Sequence, residues 1–345
     1  MKTKIFALLA VFGFALNLAG ATFAGNEKKQ TNELVALLPA SDGVVTMDSK
    51  RFFATALPQI LSGNKGMLDE IYEKIDEFKS NTGIDLRQFD QIAVGVAAKK
   101  ISEKETDYES VALARGNFSA DSLVKLAKFA SGDKYREEKI GERTVYIFSP
   151  KEMIEKNKPT AKNAQLQKIL DMMMPRLSGE TAITVYDNKT LAFGTPDRLK
   201  LMLTESKSRV DTELVALVSR NLEAVMSFAG NMPNGMSGLI QLDDDELGQN
   251  IDSIRQIFGS MDVVGENTIV SITAKTSDVK HAEGLQKNIS DLREVGKMIL
   301  GSSKREDQKM YARLLENAKI TRNGMEVSLN LQVSQSDMNM LIGTK

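Results

Sequence analysis

Between residues 109 and 148 the chain changes period twice. The run ESVALAR alternates, SADSLVKLAKFASG carries apolar residues at three/four spacing, and YREEKI and RTVYIF return to short alternating runs across Gly141-Glu142. This predicts a strand, an amphipathic helix and a hairpin, with a polar capping segment between strand and helix. A looser echo spans residues 267–333: NTIVSITAK, a long helical run, a further helix, and the hairpin AKITRNGMEVSLNLQV. In that long run Val279, Ala282, Leu285, Ile289, Leu292, Val295 and Ile299 keep helical spacing over five turns, which implies that one whole side of the helix is buried. Asn323-Gly324 signals a tight hairpin turn. After it Met325, Val327, Leu329, Leu331 and Val333 alternate with Glu326, Ser328, Asn330 and Gln332, the signature of a sheet with one face packed under helices and one face wet.

The remaining pattern fills in around these two stretches. Residues 44–47 form a short apolar strand closing at Asp48, followed by helices with Phe53, Leu57, Ile60 and Leu61 on one face and Met67, Leu68, Ile71, Ile75 and Phe78 on the next. Strands at 91–97 and 109–115 flank the charged loop KKISEKETD. Leu166, Ile169, Leu170, Met173, Met174 and Leu177 recur at helical spacing, so the Met172-Met173-Met174 run reads as a core face. A hairpin over 181–195 turns at Asp187-Asn188, and a helix opens at Pro196. Leu214, Leu217, Val218 and Leu222 give another helix, strands are expected at 224–229 and 239–242, and a helix follows with Leu247, Ile251, Ile254 and Phe258 inward. A strand closing on Asp and entering a helix thus occurs at Asp48 and again at Asp243-Asp244-Asp245. The expected fold is α+β: two related lobes, residues 35–210 and 211–345, each a largely antiparallel sheet with helices packed on one face. An exposed loop is expected at 151–163, where Lys, Glu and Pro concentrate.

The first residues change the picture of where the chain works. MKTKIFALLAVFGFALNLAGATFAG has Lys2 and Lys4, an apolar run and small residues suited to cleavage after Ala21 or Ala24. Residues 1–24 therefore read as a signal peptide, 25–34 as a polar spacer, and the expected destination is the periplasm or the exterior of a bacterial cell, with no membrane span after signal cleavage. The 345-residue chain contains no cysteine, which removes disulfides, thiolate metal sites and thiol nucleophiles. Its 45 Lys and Arg balance 46 Asp and Glu, so the electrostatic footprint of nucleic-acid binding is missing.

Candidate chemistry is thin. His281 is the one histidine, it stands in the first turn of an amphipathic helix, and no G-x-S-x-G elbow accompanies it. S-x-x-K occurs at Ser122/Lys125, Ser131/Lys134 and Ser277/Lys280 without the companion S-D-N and K-T-G elements; Ser119 and Ser277 read better as helix-entry residues. Asp243 to Glu246 lacks calcium-loop spacing, and acidic residues at a helix N-terminus need no metal. No cofactor is called for, since no phosphate-binding loop is present.

The stretch L-L-P-A-S-D-G-V-V-T-M-D and the segment G-I-D-L-R-Q-F-D-Q-I-A-V-G-V at 83–96, with the exported N-terminus, resemble a group of uncharacterised exported bacterial proteins. The resemblance implies the compartment and an α+β fold, and no activity. The function expected is an exported, non-catalytic binding or structural protein of the cell envelope, its partner a protein or other envelope component. The wet sheet face offers candidate contacts: Ser271, Thr273, Lys275, Glu326, Ser328, Asn330 and Gln332. An extracytoplasmic hydrolase with a site assembled only in three dimensions, and a carrier or chaperone for apolar cargo, are the alternatives.

Overall fold

The computed structural model describes residues 32–100, 106–132, 134–149, 167, 179–204, 209–233, 235, 237 and 246–343. The expected signal peptide, the loop at 151–163, the Met172–Met174 face, the strand at 239–242 and Asp243 to Asp245 lie outside the described residues. The chain forms two compact units, Asn32–Thr212 and a second that begins at Glu213. Both combine antiparallel strands with helices, so the protein is α+β.

In the first unit, α1 (Glu33–Ala36) leads to β1 (Gly43–Asp48). The Asp48 side chain caps α2 (Ser49–Arg51) by accepting from the Arg51 N–H, and a π-helical turn at Phe52–Ala56 continues into α3 (Leu57–Ile60). Then come α4 (Lys65–Thr82), β2 (Phe89–Lys100), β3 (Thr106–Gly116), α5 (Ala120–Ser131), β4 (Tyr135–Ile140), β5 (Arg143–Phe148), β6 (Thr181–Asp187), β7 (Thr190–Gly194) and α6 (Pro196–Thr204). The strands bond in the order β1-β2-β3-β7-β6-β5-β4.

Two local motifs have clear physical reasons. The G-I-D-L segment ends α4: Gly83 adopts φ 74°, which only glycine takes without cost, and its N–H closes the helix on the Lys79 carbonyl. Ile84 and Leu86 then turn into the core at 3% exposure each, and Asp85 accepts from the Arg87 Nε and backbone N–H. The L-L-P-A-S segment is a docking strip for main-chain carbonyls. Arg198 of α6 donates to the Ala40 carbonyl at 2.6 Å and Ser41 Oγ at 2.9 Å, Arg209 donates to the Leu37 carbonyl at 2.5 Å, and the Val210 N–H donates to the Leu38 carbonyl at 3.1 Å. Carbonyls in an irregular turn, outside any strand ladder, are satisfied by such donors.

The second unit contains α7 (Thr212–Val218), β8 (Met226–Asn231), α8 (Glu246–Asp252), β9 (Ile254–Val264), β10 (Asn267–Thr276), α9 (Val279–Gly301), α10 (Glu306–Asn317), β11 (Lys319–Asn323), β12 (Glu326–Ser334) and α11 (Gln335–Ile342). Its strands bond in the order β11-β12-β10-β9-β8. Ile254 and Phe258, expected on a helix, stand on β9 instead. That strand is buried on both faces over most of its length, so it shows no alternation and its apolar spacing mimics a helix. The β11–β12 turn falls on Gly324, at φ 57°, and Met325, one residue later than an Asn323-Gly324 turn, because Asn323 pairs with Glu326.

One sheet face of this unit packs under α9: Ile254, Ala282, Leu285 and Val327 form its core, with Ile251, Ile257, Ala274, Ile289 and Ile320 around it. The expectation that α9 buries its whole apolar side fails. Ala282 and Leu285 are sealed, but Leu292 is 57% exposed, Val295 48%, Ile299 63% and Val279 46%. The spacing is helical throughout; the covering sheet and α8 serve only the first half, while the second half leans on α10, with Gly296 letting Leu315 approach. Among the described residues no helix is long and apolar enough to cross a membrane.

Candidate functional site

A cleft of about 330 Å³ lies on one face of the first unit's sheet, between α6 and the β4–β5 hairpin. Register explains its floor: Glu138 pairs with Val145 and Arg136 with Ile147, so these four side chains and Ile140 point to the same side. Ile140, Val145 and Ile147 are buried and form an aliphatic base. Pro196, Asp197 and Lys200 from the first turns of α6 make one wall, Glu109 of β3 stands behind, and Gly179 and Glu180 close the end.

Charges ring this base. Arg136 forks onto both Glu180 oxygens, with the Nη2 to Oε2 distance 3.1 Å. This bonding holds the Glu180 carboxyl below its usual value and the guanidinium above its own. Lys99 reaches in from β2, its Nζ 2.5 Å from Glu109 and 3.6 Å from Asp197, and Glu109 pushes its pKa up. The Lys200 ammonium stands 4.0 Å from Glu138. Each of these shifts favours the charged form, which suits recognition of charge and disfavours proton transfer. On the inner wall Thr195 Oγ1 is buried and, among the described residues, has no hydrogen-bond partner.

Sequence reasoning did not single out these residues. The signal was present in YREEKI, where Arg136 and Glu138 occupy the positions on Ile140's own face that an ordinary packed strand would fill with apolar side chains.

The face chosen from sequence is one face, as expected, but it is only partly wet. Ser271 pairs with Asn330, Thr273 with Ser328, Lys275 with Glu326, and Gln332 lies opposite Ile269. Ser271 is 1% exposed and Thr273 5%, and Thr273 shares a hydrogen bond with Ser328. The cause is a polar roof made by α7 and the turn after it. Glu213 binds Lys275, Arg220 forks onto Glu326 at 2.8 Å for each bond and stacks over Phe258, and Asn221 donates to Ser260 Oγ. Of the seven candidate contacts Gln332 alone is exposed, and Lys275, Glu326, Ser328 and Asn330 are half-buried. Solvent-side polarity and polar-on-polar packing give the same alternating sequence.

His281 sits at the start of α9, where the Asp278 side chain caps the helix by accepting from the His281 N–H at 3.0 Å and lies 2.7 Å from its Nδ1. The backbone N–H bond, aided by the ring, draws the Asp278 carboxyl down to about 2. Asp278, not Ser277, is the capping residue; Ser119 does cap α5. A second exposed feature is the ridge of Leu292, Val295, Met298 and Ile299 on α9. Among the described residues no group of three metal-ligating side chains stands together.

No family model matches this chain, and neither does any curated protein. Among solved structures it is similar to TP0453 in crystal form III, at 9% identity and a TM-score of 0.46, over 91% of this chain and 99% of that one. Crystal form IV of TP0453 gives 8% identity and 0.46, over 91% and 97%.

Proposed function

We propose that this chain is an exported, non-catalytic ligand-binding protein of the bacterial cell envelope, and that its ligand enters the cleft between α6 and the β4–β5 hairpin. The observation that carries this reading is the combination of an aliphatic base with a ring of charges already locked in ion pairs. Such a ring fixes the orientation of a small polar ligand while the base takes its apolar part. The shifts at Glu180, Arg136 and Lys99 all favour the charged form, which disfavours the proton transfer a hydrolase would need. The leader-like N-terminus supports the compartment, and the balanced charge supports a partner other than nucleic acid.

The test is a screen of small cationic, neutral and anionic compounds against the mature chain, followed by the methyl resonances of Ile140, Val145 and Ile147. Saturable shifts at those methyls, with the compound recovered unchanged, are expected. Silence at those methyls across the screen, or consumption of an ester, peptide or glycoside, overturns the proposal. Export is tested separately by fractionation: the processed chain should be found outside the cytoplasm.

A further inference from the structure

Resting on the cleft reading, we infer that the ligand carries an ammonium or guanidinium head on a short aliphatic stem. The charge count of the cleft points this way. Four carboxylates line it, those of Glu109, Glu138, Glu180 and Asp197, against two cations, Arg136 and Lys200. Lys99 adds a third cation from the rim, where it is shared between Glu109 and Asp197. Arg136 has spent its fork on Glu180, so it offers an anion little. The most loosely held carboxylate is Glu138, which the Lys200 ammonium reaches only at 4.0 Å.

Geometry supplies the stem. Glu138 lies cross-strand from Val145 and two residues from Ile140, so aliphatic side chains stand beside it on the same face. A cation bonded to Glu138 would lay its carbon chain on that base, away from water. At the ~30 Å³ that one water occupies in the liquid, the cleft holds roughly ten non-hydrogen atoms, the size of a lysine-like side chain or a small alkylamine.

Hexylamine, hexan-1-ol and hexanoate, matched in length and differing in charge, decide the matter when titrated into the mature chain with the Ile140, Val145 and Ile147 methyls as reporters. Hexylamine should bind at those methyls about three- to five-fold tighter than hexan-1-ol, and hexanoate more weakly than either. Glu138→Gln, on an exposed strand position, should weaken hexylamine about three- to five-fold and leave hexan-1-ol unchanged. Hexan-1-ol or hexanoate binding there as tightly as hexylamine overturns the cationic ligand and leaves the cleft standing. An unchanged hexylamine affinity in Glu138→Gln does the same. No response to any of the three probes overturns this inference, and the cleft itself falls only if the wider screen is silent too.

Discussion

Two long helices, α4 in the first unit and α9 in the second, carry comparable apolar stripes and meet different fates. α4 has 18 residues and α9 has 23, and each starts at a side chain, Asn64 or Asp278, that accepts a backbone N–H three residues on. α4 buries Met67, Ile71, Ile75 and Phe78, a stripe sealed from its first turn to its last. α9 seals Ala282 and Leu285 and then shows Leu292, Val295, Met298 and Ile299 to solvent. Periodicity states which side of a helix is apolar; it does not state what lies opposite. The exits differ as well: α4 is clamped by Asp85, Arg87 and Lys79, whereas α9 ends at Ser302 in a turn of polar residues.

Truncating the stripes gives the largest separation. Ile75 is wholly buried and Leu285 is 2% exposed, so Ile75→Ala and Leu285→Ala should each cost ~2–5 kcal/mol. Leu292→Ala, at 57% exposure, should stay within ~0.5 kcal/mol. Urea midpoints at unchanged slope measure all three. A Leu292→Ala cost near that of Leu285→Ala would show that the second half of α9 is covered in solution, and the contrast with α4 would collapse.

The same two helices show how far the sequence was legible. Both helices, their faces and their approximate ends could be read, because local spacing and caps set them: Gly83 after α4 and the polar Ser277-Asp278 before α9 are visible in one dimension. What could not be read depends on partners distant in the chain. β9 was missed because burial on both faces erases the alternation that marks a strand. The roof over Ser271 and Thr273 was missed because Glu213, Arg220 and Asn221 look like ordinary helix-end residues until they meet Lys275, Glu326 and Ser260. The cleft was missed for a related reason: Glu109, Arg136, Glu180 and Asp197 come from four separate elements or turns.

A middle-sized effect tests the clamp that α4 has and α9 lacks. Burial pushes the Asp85 carboxyl up, but side-chain hydrogen bonds from Arg87 and Lys79 and the Arg87 N–H more than offset this and leave it at about 2. A carboxyl depressed in the folded state contributes stability above its unfolded pKa of ~3.9 and loses it as pH falls through the folded value. The contribution, ~2 kcal/mol, is thus complete near neutral pH and disappears between about pH 4 and pH 2. Asp85→Asn should be less stable than the parent by that amount at neutral pH, with the two converging at the acid end. Parallel acid limbs for the two proteins would mean that the clamp contributes nothing as a charge.

The smallest effect lies within α9 itself, at two glycines one on each side of the divide. A Cβ at Gly284 would fall 2.4–2.9 Å from the Asn250 amide of α8, which is held by its own hydrogen bond to Asn288. A Cβ at Gly296 would meet only the end of Leu315, at 2.8 Å, a flexible tip on the half of the helix with open space beside it. Alanine gains ~1 kcal/mol over glycine in a helix interior, whereas overpacking a fixed neighbour costs ~1–3 kcal/mol. Gly284→Ala should therefore come out destabilising by ~1 kcal/mol or more and Gly296→Ala near neutral or slightly stabilising, as read by thermal unfolding. Equal losses at both positions would mean that α10 grips the second half of α9 as firmly as α8 grips the first, and the exposed ridge would then belong to a rigid surface set by its neighbours and not to a loosely seated helix end.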